Sequence, residues 1–176
     1  AGEAQDKIRF LWERPDLVEA LYATTEATDR HTDIVSAADA AGLPVTVCTP
    51  EVLAAMCDTD APQGLLAVCR CAPVSLEQVL AGRPRLLVVL AHVRDPGNAG
   101  TVLRGADAVG ADAVVLSTAS VDVWSPKVVR STVGSIFHLP IVTDVALPAG
   151  LDQLRAAGVR VLAADGAGAP ARRHRP

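Results

Sequence analysis

The sequence predicts an α/β protein built from two consecutive units. Short apolar runs of strand length alternate with segments of helical periodicity, and half of the 176 residues are hydrophobic whereas only 3% are aromatic. An aliphatic composition of this kind is typical of layered α/β folds. Pro73, Gly82 and Pro84 surround a short predicted helix over 75–80, and these helix- and strand-breaking residues predict the joint between the two units.

The first unit, residues 1–76, alternates strands with helices. The run 17–24 is compatible with a strand or a helix, and the alternation of its apolar residues favours the strand. The other predicted elements are, in chain order, a short apolar start at 10–12, a helix over 33–41 ended by Gly42, a strand over 44–48, a helix from Pro50 to about Met56 capped by Thr49, and a strand over 65–71. This order predicts a small parallel or mixed sheet.

Residues 77–84 form the predicted linker, and the second unit covers residues 85–176. Its repeated strand–helix–strand order predicts a parallel sheet. The predicted strands cover 86–91, 112–117, about 138–142 and 159–164, and the predicted helices cover about 98–109, 126–132 and 149–157. The last residues, from Gly166 to Pro176, carry no core-forming pattern, and we expect them to be disordered.

The charge is distributed unevenly along the chain. Residues 1–76 hold 5 Lys/Arg and 12 Asp/Glu, whereas residues 77–176 hold 11 and 8. We therefore expect an anionic partner to meet the second unit. No apolar run is long enough for a membrane span and no secretory signal is visible, so we expect no membrane association. The four cysteines form no C-x-x-C pair, which predicts reduced, buried thiols in a cytoplasmic protein.

The most specific stretch runs from residue 95 to residue 110, directly after an apolar strand. It predicts a tight polar turn and a helix start at the carboxyl end of the strand, where open α/β sheets bind ligands. Asn98 is predicted to cap the helix, and Arg104 lies off the buried stripe with open space beside it at Gly100. The predicted stripe consists of Ala99, Val102, Leu103, Ala106 and Val109. The turn suits a ribose or a phosphate, although an ordinary capped turn with a solvated arginine fits the same pattern.

A second polar stretch covers residues 125–140. It begins with Ser-Pro, which starts a helix, and Gly134 ends that helix. Three side chains of the helix are three or four residues apart and share one face: Lys127, Arg130 and Ser131. Two cations and a hydroxyl suit a phosphodiester, and they equally suit a solvated face.

Together the two stretches resemble the first and second motifs of the SpoU/TrmH family of RNA ribose 2′-O-methyltransferases, which belongs to the SPOUT superfamily. Residues 95–110 read Asp-Pro-x-Asn-x-Gly-x-x-x-Arg-x-Ala-x-Ala-x-Gly, and residues 130–141 read Arg-Ser-Thr-Val-Gly-Ser-x-x-x-Leu-Pro-Ile. The resemblance covers residues 85–165. The Pro-Gln-Gly stretch at 62–64 is similar to the strand that closes the ribosomal-protein-like, RNA substrate-binding domain often fused in front of this family's methyltransferase domain.

The resemblance implies a SPOUT-type parallel-sheet methyltransferase domain, S-adenosylmethionine as methyl donor, ribosomal or transfer RNA as substrate, and a cytoplasmic homodimer. It implies catalytic roles for Asn98, Arg104 and Ser131, RNA contacts for Lys127, Arg130 and Ser135, and cofactor contacts for Leu162, Ala163 and Asp165. The family continues into a third motif that this sequence does not contain, so the implied methyltransferase domain is incomplete at its C-terminal side.

Two hypotheses of different classes follow from these observations. The first is a methyltransferase in which Arg104 orients the ribose or its phosphate, because a guanidinium with a pKa above about 12 is a poor general base. In this hypothesis the turn presents Asn98 and Arg104 to the same sugar-phosphate. The second is a catalytically incomplete RNA-binding or dimerising remnant. A dinucleotide-binding enzyme has little support, because no G-x-G-x-x-G follows a strand.

Overall fold

The computed structural model describes residues 15–59 and 61–164, and these residues form two three-stranded sheets covered by helices. The predicted α/β class is confirmed. The apolar start expected at 10–12, the tail expected to be disordered and the expected cofactor contact Asp165 lie outside the described residues. Of the described helices, none combines the length and the apolar character that crossing a bilayer requires.

The first sheet has the order β2-β1-β3 and mixes parallel with antiparallel pairing. Its strands are β1 (Val18–Ala23), β2 (Val45–Val47) and β3 (Leu65–Cys69), and its helices are α1 (Thr25–Arg30), α2 (Thr32–Ala40) and α3 (Pro50–Met56). Helix α3 begins as predicted, since Thr49 accepts a hydrogen bond from the Val52 amide and Pro50 occupies the first turn. Helix α1 is absent from the sequence-based prediction. The Thr24 side chain caps it by accepting from the Ala27 amide.

The second sheet has the order β4-β5-β6 and is entirely parallel. Its strands are β4 (Leu87–Leu90), β5 (Ala113–Ser117) and β6 (Ile141–Val145), and its helices are α4 (Leu76–Ala81), α5 (Pro96–Ala108), α6 (Pro126–Ser131) and α7 (Leu147–Ala156). Every residue of the central strand β5 is buried. Helices α5 and α6 cover one face of the sheet, and α4 and α7 cover the other. Two-sided covering explains why β4 and the first four residues of β5 are continuously apolar.

The predicted strand over 159–164 is wrong. These residues form no strand in the described structure, although Val159 and Val161 pack against the apolar layer beneath α7. The Val159 amide donates to the Leu154 carbonyl at the end of α7 instead of joining a β-ladder. Alternating apolar residues can therefore be buried by packing on a sheet face without strand pairing.

The four cysteines are less buried than predicted. Cys48, Cys57 and Cys69 are half-buried and Cys71 is exposed, and all four are free thiols. Burial raises the pKa of the Cys69 thiol to about 11, with smaller contributions from Cys71 and Glu19. Cys69 therefore carries a protonated thiol at neutral pH, which is poorly nucleophilic.

Candidate functional site

Asp95, and not Asn98, caps the helix that begins the candidate site. The Asp95 Oδ1 atom accepts a hydrogen bond of 2.7 Å from the backbone amide of Asn98, and Pro96 occupies the first turn of α5. The prediction of Asn98 as the cap is wrong, because the fixed φ of Pro96 starts the helix two residues earlier. The Asn98 side chain is exposed and makes no hydrogen bond to any residue that the structure describes.

Gly100 is the contact point between α5 and α6. A Cβ atom at position 100 would lie 2.6 Å from the Ser131 Cβ and 2.7 Å from the Ser131 carbonyl carbon. The expectation of open space at Gly100 beside Arg104 is therefore wrong, since Ser131 of α6 fills that space. The Ser131 hydroxyl lies 3.0 Å from the Pro96 carbonyl oxygen and 2.7 Å from the Val128 carbonyl oxygen, and it donates to one or the other. This contact attaches α6, which carries the second motif, to the first turn of α5, which carries the first motif.

This contact also changes which face of α5 is buried. Ala99, Leu103 and Ala106 are buried as predicted, and Gly100 joins them. The prediction that Val102 and Val109 belong to the buried stripe is wrong, because these side chains are 36% and 65% exposed. The close approach of α6 at Gly100 rotates the buried face of α5 towards that residue.

Arg104 and Asn98 both project from α5 into solvent. They are six residues apart, which corresponds to about 120° around the helix and about 9 Å along its axis. The two side chains therefore do not share one helical face, contrary to the expectation that both meet one sugar-phosphate from a single copy of the helix. No hydrogen bond or ion pair involves the Arg104 guanidinium within the described part of the chain.

The two cations of α6 differ in their surroundings. Arg130 donates from Nη1 to the Asp58 carbonyl oxygen at 2.6 Å, and its Nη2 lies 3.6 Å from the Asp58 carboxylate. Lys127 is exposed and has no partner among residues 15–59 and 61–164. Ser135 is half-buried in the turn after Gly134, whose φ of 98° is the left-handed conformation that favours glycine. Of the two predicted RNA-contacting cations, Arg130 thus lies where the second unit meets the first, and Lys127 faces solvent.

Two of the cofactor candidates lie near the opposite edge of the sheet. Leu162 is 67% exposed and lines a groove with Arg83, Arg85 and Leu86, which lead into the amino end of β4. Ala163 is exposed beside it. Asn98, in contrast, follows the carboxyl end of β4. The described structure therefore does not bring Leu162 to the start of α5, and it builds no enclosed nucleoside pocket from these residues.

Both histidines near the motifs have structural contacts. The His92 amide donates to the Ser117 hydroxyl, while the His92 ring is exposed. The His138 Nδ1 atom lies 2.9 Å from an Asp107 carboxylate oxygen, which joins the end of α5 to the segment before β6. The contact of Ser117 with His92 could not be predicted from the sequence, because nothing in the local pattern distinguishes Ser117 from any other serine at the end of a strand.

Two family models match the chain, and the boundary between the two matches falls between the first sheet and the second. Residues 85–175 match the model of the SpoU rRNA methylase family. The chain belongs to the SpoU rRNA methylase family. Residues 8–73 match a second model, described as RNA 2′-O ribose methyltransferase substrate binding. The resemblance expected from the two motifs is confirmed.

Individual rRNA methyltransferases are similar to the chain over part of their length. The 23S rRNA (guanosine(2553)-2′-O)-methyltransferase RlmP of Bacillus subtilis is 40% identical over 120 residues, which cover 68% of this chain and 46% of that protein. The mitochondrial rRNA methyltransferase 3 of Mus musculus is 38% identical over 92 residues, covering 50% of this chain and 22% of that protein. The chain thus spans less than half the length of these relatives.

Solved structures of rRNA methyltransferases confirm the fold. An rRNA methyltransferase from Sinorhizobium meliloti superposes with a TM-score of 0.69 at 26% identity, covering 85% of this chain and 57% of that one. The same protein solved with bound AdoMet superposes with a TM-score of 0.68 at 25% identity, covering 85% and 56%. Both three-stranded sheets therefore belong to an arrangement already seen in a methyltransferase of this fold.

Proposed function

We propose that the protein transfers a methyl group from S-adenosylmethionine to a ribose 2′-hydroxyl of ribosomal RNA. The observation that carries this proposal is the direct contact between the two motif helices at Gly100 and Ser131, which unites the family's first and second motifs at one end of a parallel sheet. The choice of ribosomal over transfer RNA follows the B. subtilis relative, whose name specifies 23S rRNA.

The residues contribute binding and orientation. Arg104 is free to clamp a phosphate or ribose oxygen, and Asn98 presents an amide beside the positive end of α5. Neither group is a strong base, so their contribution is the in-line placement of the hydroxyl, and placement alone supplies roughly 7–11 kcal/mol in favourable cases. Lys127 and Arg130 hold the RNA backbone beside them. Ser131 acts through its position between the helices, and Ser135 borders the same turn.

S-adenosylmethionine supplies an activated methyl group when it is bound, and its presence in the S. meliloti structure supports the same donor here. The described residues fit the RNA side of such a site better than the donor side. Asn98 and Arg104 are exposed on α5, and Leu162 and Ala163 lie exposed on another part of the surface. The assignment of cofactor contacts to Leu162, Ala163 and Asp165 accordingly stays part of the proposal.

Three further assignments accompany the proposed reaction. The first unit, residues 1–76, binds the RNA substrate; residues 77–84, which include most of α4 packed on the second sheet, connect this unit to the rest of the methyltransferase domain; and the protein works in the cytoplasm, where ribosomes are assembled. The protein works as a homodimer, which would bury the exposed side chains of Val102 on α5 and Val133 in the turn after α6. Two copies would also offer a route to combine Asn98 of one chain with Arg104 of the other, which a single helix keeps on different sides.

The second candidate function is an RNA-binding or dimerising protein without catalytic activity. The observation that favours it is the position of Leu162, which is exposed near the amino end of β4 and does not line a pocket beside Asn98. In this case the motif helices still contact RNA, but the chain does not hold the donor.

Incubation of the chain with tritium-labelled S-adenosylmethionine and 23S rRNA tests the proposal. We expect radioactivity in the RNA, and mapping of ribose methylation should show one modified nucleotide. Calorimetric titration with S-adenosylmethionine separates the two candidates. Donor binding supports the enzyme, whereas RNA binding without donor binding or methyl transfer supports the second function and contradicts the first.

A further inference from the structure

The turn that leads from β4 into α5 is held by a buried hydroxyl on the neighbouring strand. Ser117 is the last residue of β5 and is 2% exposed. Its Oγ atom accepts a hydrogen bond of 2.8 Å from the His92 amide and lies 3.1 Å from the Thr118 carbonyl oxygen and 3.2 Å from the Ser120 hydroxyl. One small side chain thus connects the ends of two adjacent parallel strands.

The backbone that Ser117 holds is in an unfavourable conformation. His92 has a φ of 53°, in the left-handed region that non-glycine residues rarely adopt. Such conformations persist only where the surrounding structure imposes them, and they concentrate at functional sites. Next to it, the Val93 carbonyl accepts a hydrogen bond of 2.7 Å from the Val121 amide. The loop after β5 therefore fixes the loop after β4 at two consecutive residues.

The fixed loop is short and leads directly into the candidate site. Two residues separate His92 from Asp95, whose side chain caps α5 by accepting from the Asn98 amide. A change in the path of the chain at His92 is consequently transmitted to the first turn of α5. That turn carries Asn98 and also the Pro96 carbonyl oxygen, which lies 3.0 Å from the Ser131 hydroxyl.

We propose that Ser117 is a positioning residue for methyl transfer: its hydroxyl holds the strained turn at His92 and so sets the position of Asn98 at the start of α5. The inference rests on the proposed function for its catalytic consequence. Its structural part, the control of the turn by the Ser117 hydroxyl, stands on the contacts alone. Ser117 itself is buried and does not touch the RNA.

A double-mutant cycle tests the proposal, with Ser117→Ala, His92→Gly and the combination of both in the full chain. Ser117→Ala removes the acceptor, and we expect kcat to fall about tenfold or more with KM for RNA nearly unchanged, because small displacements of a reacting group are costly. His92→Gly makes the left-handed conformation intrinsically accessible. The loss caused by Ser117→Ala should therefore be several-fold smaller in the His92→Gly background. Ser120→Ala, which removes a neighbouring hydroxyl but not the His92 contact, is the matched control and should keep kcat.

Amide hydrogen exchange provides a readout that does not depend on activity. In Ser117→Ala we expect faster exchange at the His92 and Asn98 amides than in the wild type, with the amides of α7 unchanged as an internal reference. Unchanged exchange at both amides overturns the proposal whatever the activity. Equal loss of kcat in the two backgrounds, or a lower melting temperature with unaltered kcat, overturns it as well. Faster exchange in a chain whose wild type transfers no methyl group contradicts the proposed function and leaves the control of the turn by Ser117 standing.

Discussion

Gly100 in the first motif and Ser131 in the second are in direct contact, and no side chain fits at position 100. The carbonyl carbon of Ser131 would lie 2.7 Å from a Cβ atom placed there. Since the obstructing atoms include backbone, a rotamer change of Ser131 does not relieve the overlap. The glycine of the first motif therefore allows the second motif to approach, in addition to any role at the ligand.

The first prediction follows from this contact. Gly100→Ala should lower the free energy of unfolding by about 1–3 kcal/mol, because the overlap outweighs the helix propensity that alanine adds. Gly105→Ala in the same helix is the matched control, since apart from its chain neighbours and the backbone of its own helix no described atom lies within 4 Å of its added Cβ. Gly105→Ala should raise the free energy of unfolding by up to about 1 kcal/mol. Urea denaturation measures both variants, and equal stabilisation by the two substitutions would contradict the packing described for Gly100.

The second prediction concerns the contact between Asp58 and Arg130, which joins the two units. An RNA phosphate that binds Arg130 must compete with the Asp58 carboxylate, 3.6 Å from Nη2. Asp58→Asn should therefore raise RNA affinity a few-fold, more than the charge-matched control Asp39→Asn. Arg130→Gln should weaken binding and reduce the slope of log K against log salt by about 0.7–0.9, the share of one phosphate contact. Fluorescence titrations over a range of salt concentrations measure these effects. Identical affinities for Asp58→Asn and Asp39→Asn would argue against the competition.

The third prediction concerns pH and the start of the second sheet. The Asp112 carboxylate accepts hydrogen bonds of 2.9 Å and 2.7 Å from the amides of Leu86 and Arg85, and these bonds lower the pKa of Asp112 in the folded state. The resulting stability is present above the unfolded-state pKa of about 3.9 and is lost as the pH falls through the lower folded-state value. Wild-type stability should thus decline with acidification below about pH 4 more steeply than that of Asp112→Asn. Equal pH dependence in the two proteins would show that these bonds do not contribute.

Local signals were sufficient to predict most elements of the fold. The Thr49-Pro50 pair identified the start of α3, and Thr49 does cap that helix. The first motif, in contrast, offered two cap-type residues, Asp95 and Asn98. Pro96 decides between them, because it fits best at the first helical position. The sequence contained this signal, and the prediction of Asn98 as the cap did not use it.

Other features depend on contacts that no local pattern encodes. Asp58 and Arg130 are separated by 72 residues, and so their contact requires the folded arrangement of both units. The alternating residues at 159–164 had the pattern of a strand, but burial against α7 satisfies the same pattern without pairing. The exposure of Val102 likewise follows from the approach of α6 to Gly100, a tertiary effect that overrides the helical periodicity of α5.

The transfer of labelled methyl groups to 23S rRNA by the Arg104→Ala variant tests the proposed methyltransferase function most directly. Arg104 is exposed and unpaired within the described residues, so its removal should leave the melting temperature unchanged. Arg155→Ala, an exposed arginine on α7 that pairs with Asp152, is the control and should retain wild-type transfer. We expect a folded Arg104→Ala protein without detectable methyl transfer. Wild-type transfer by that variant would contradict the assignment of the first motif to the ribose-methylating site.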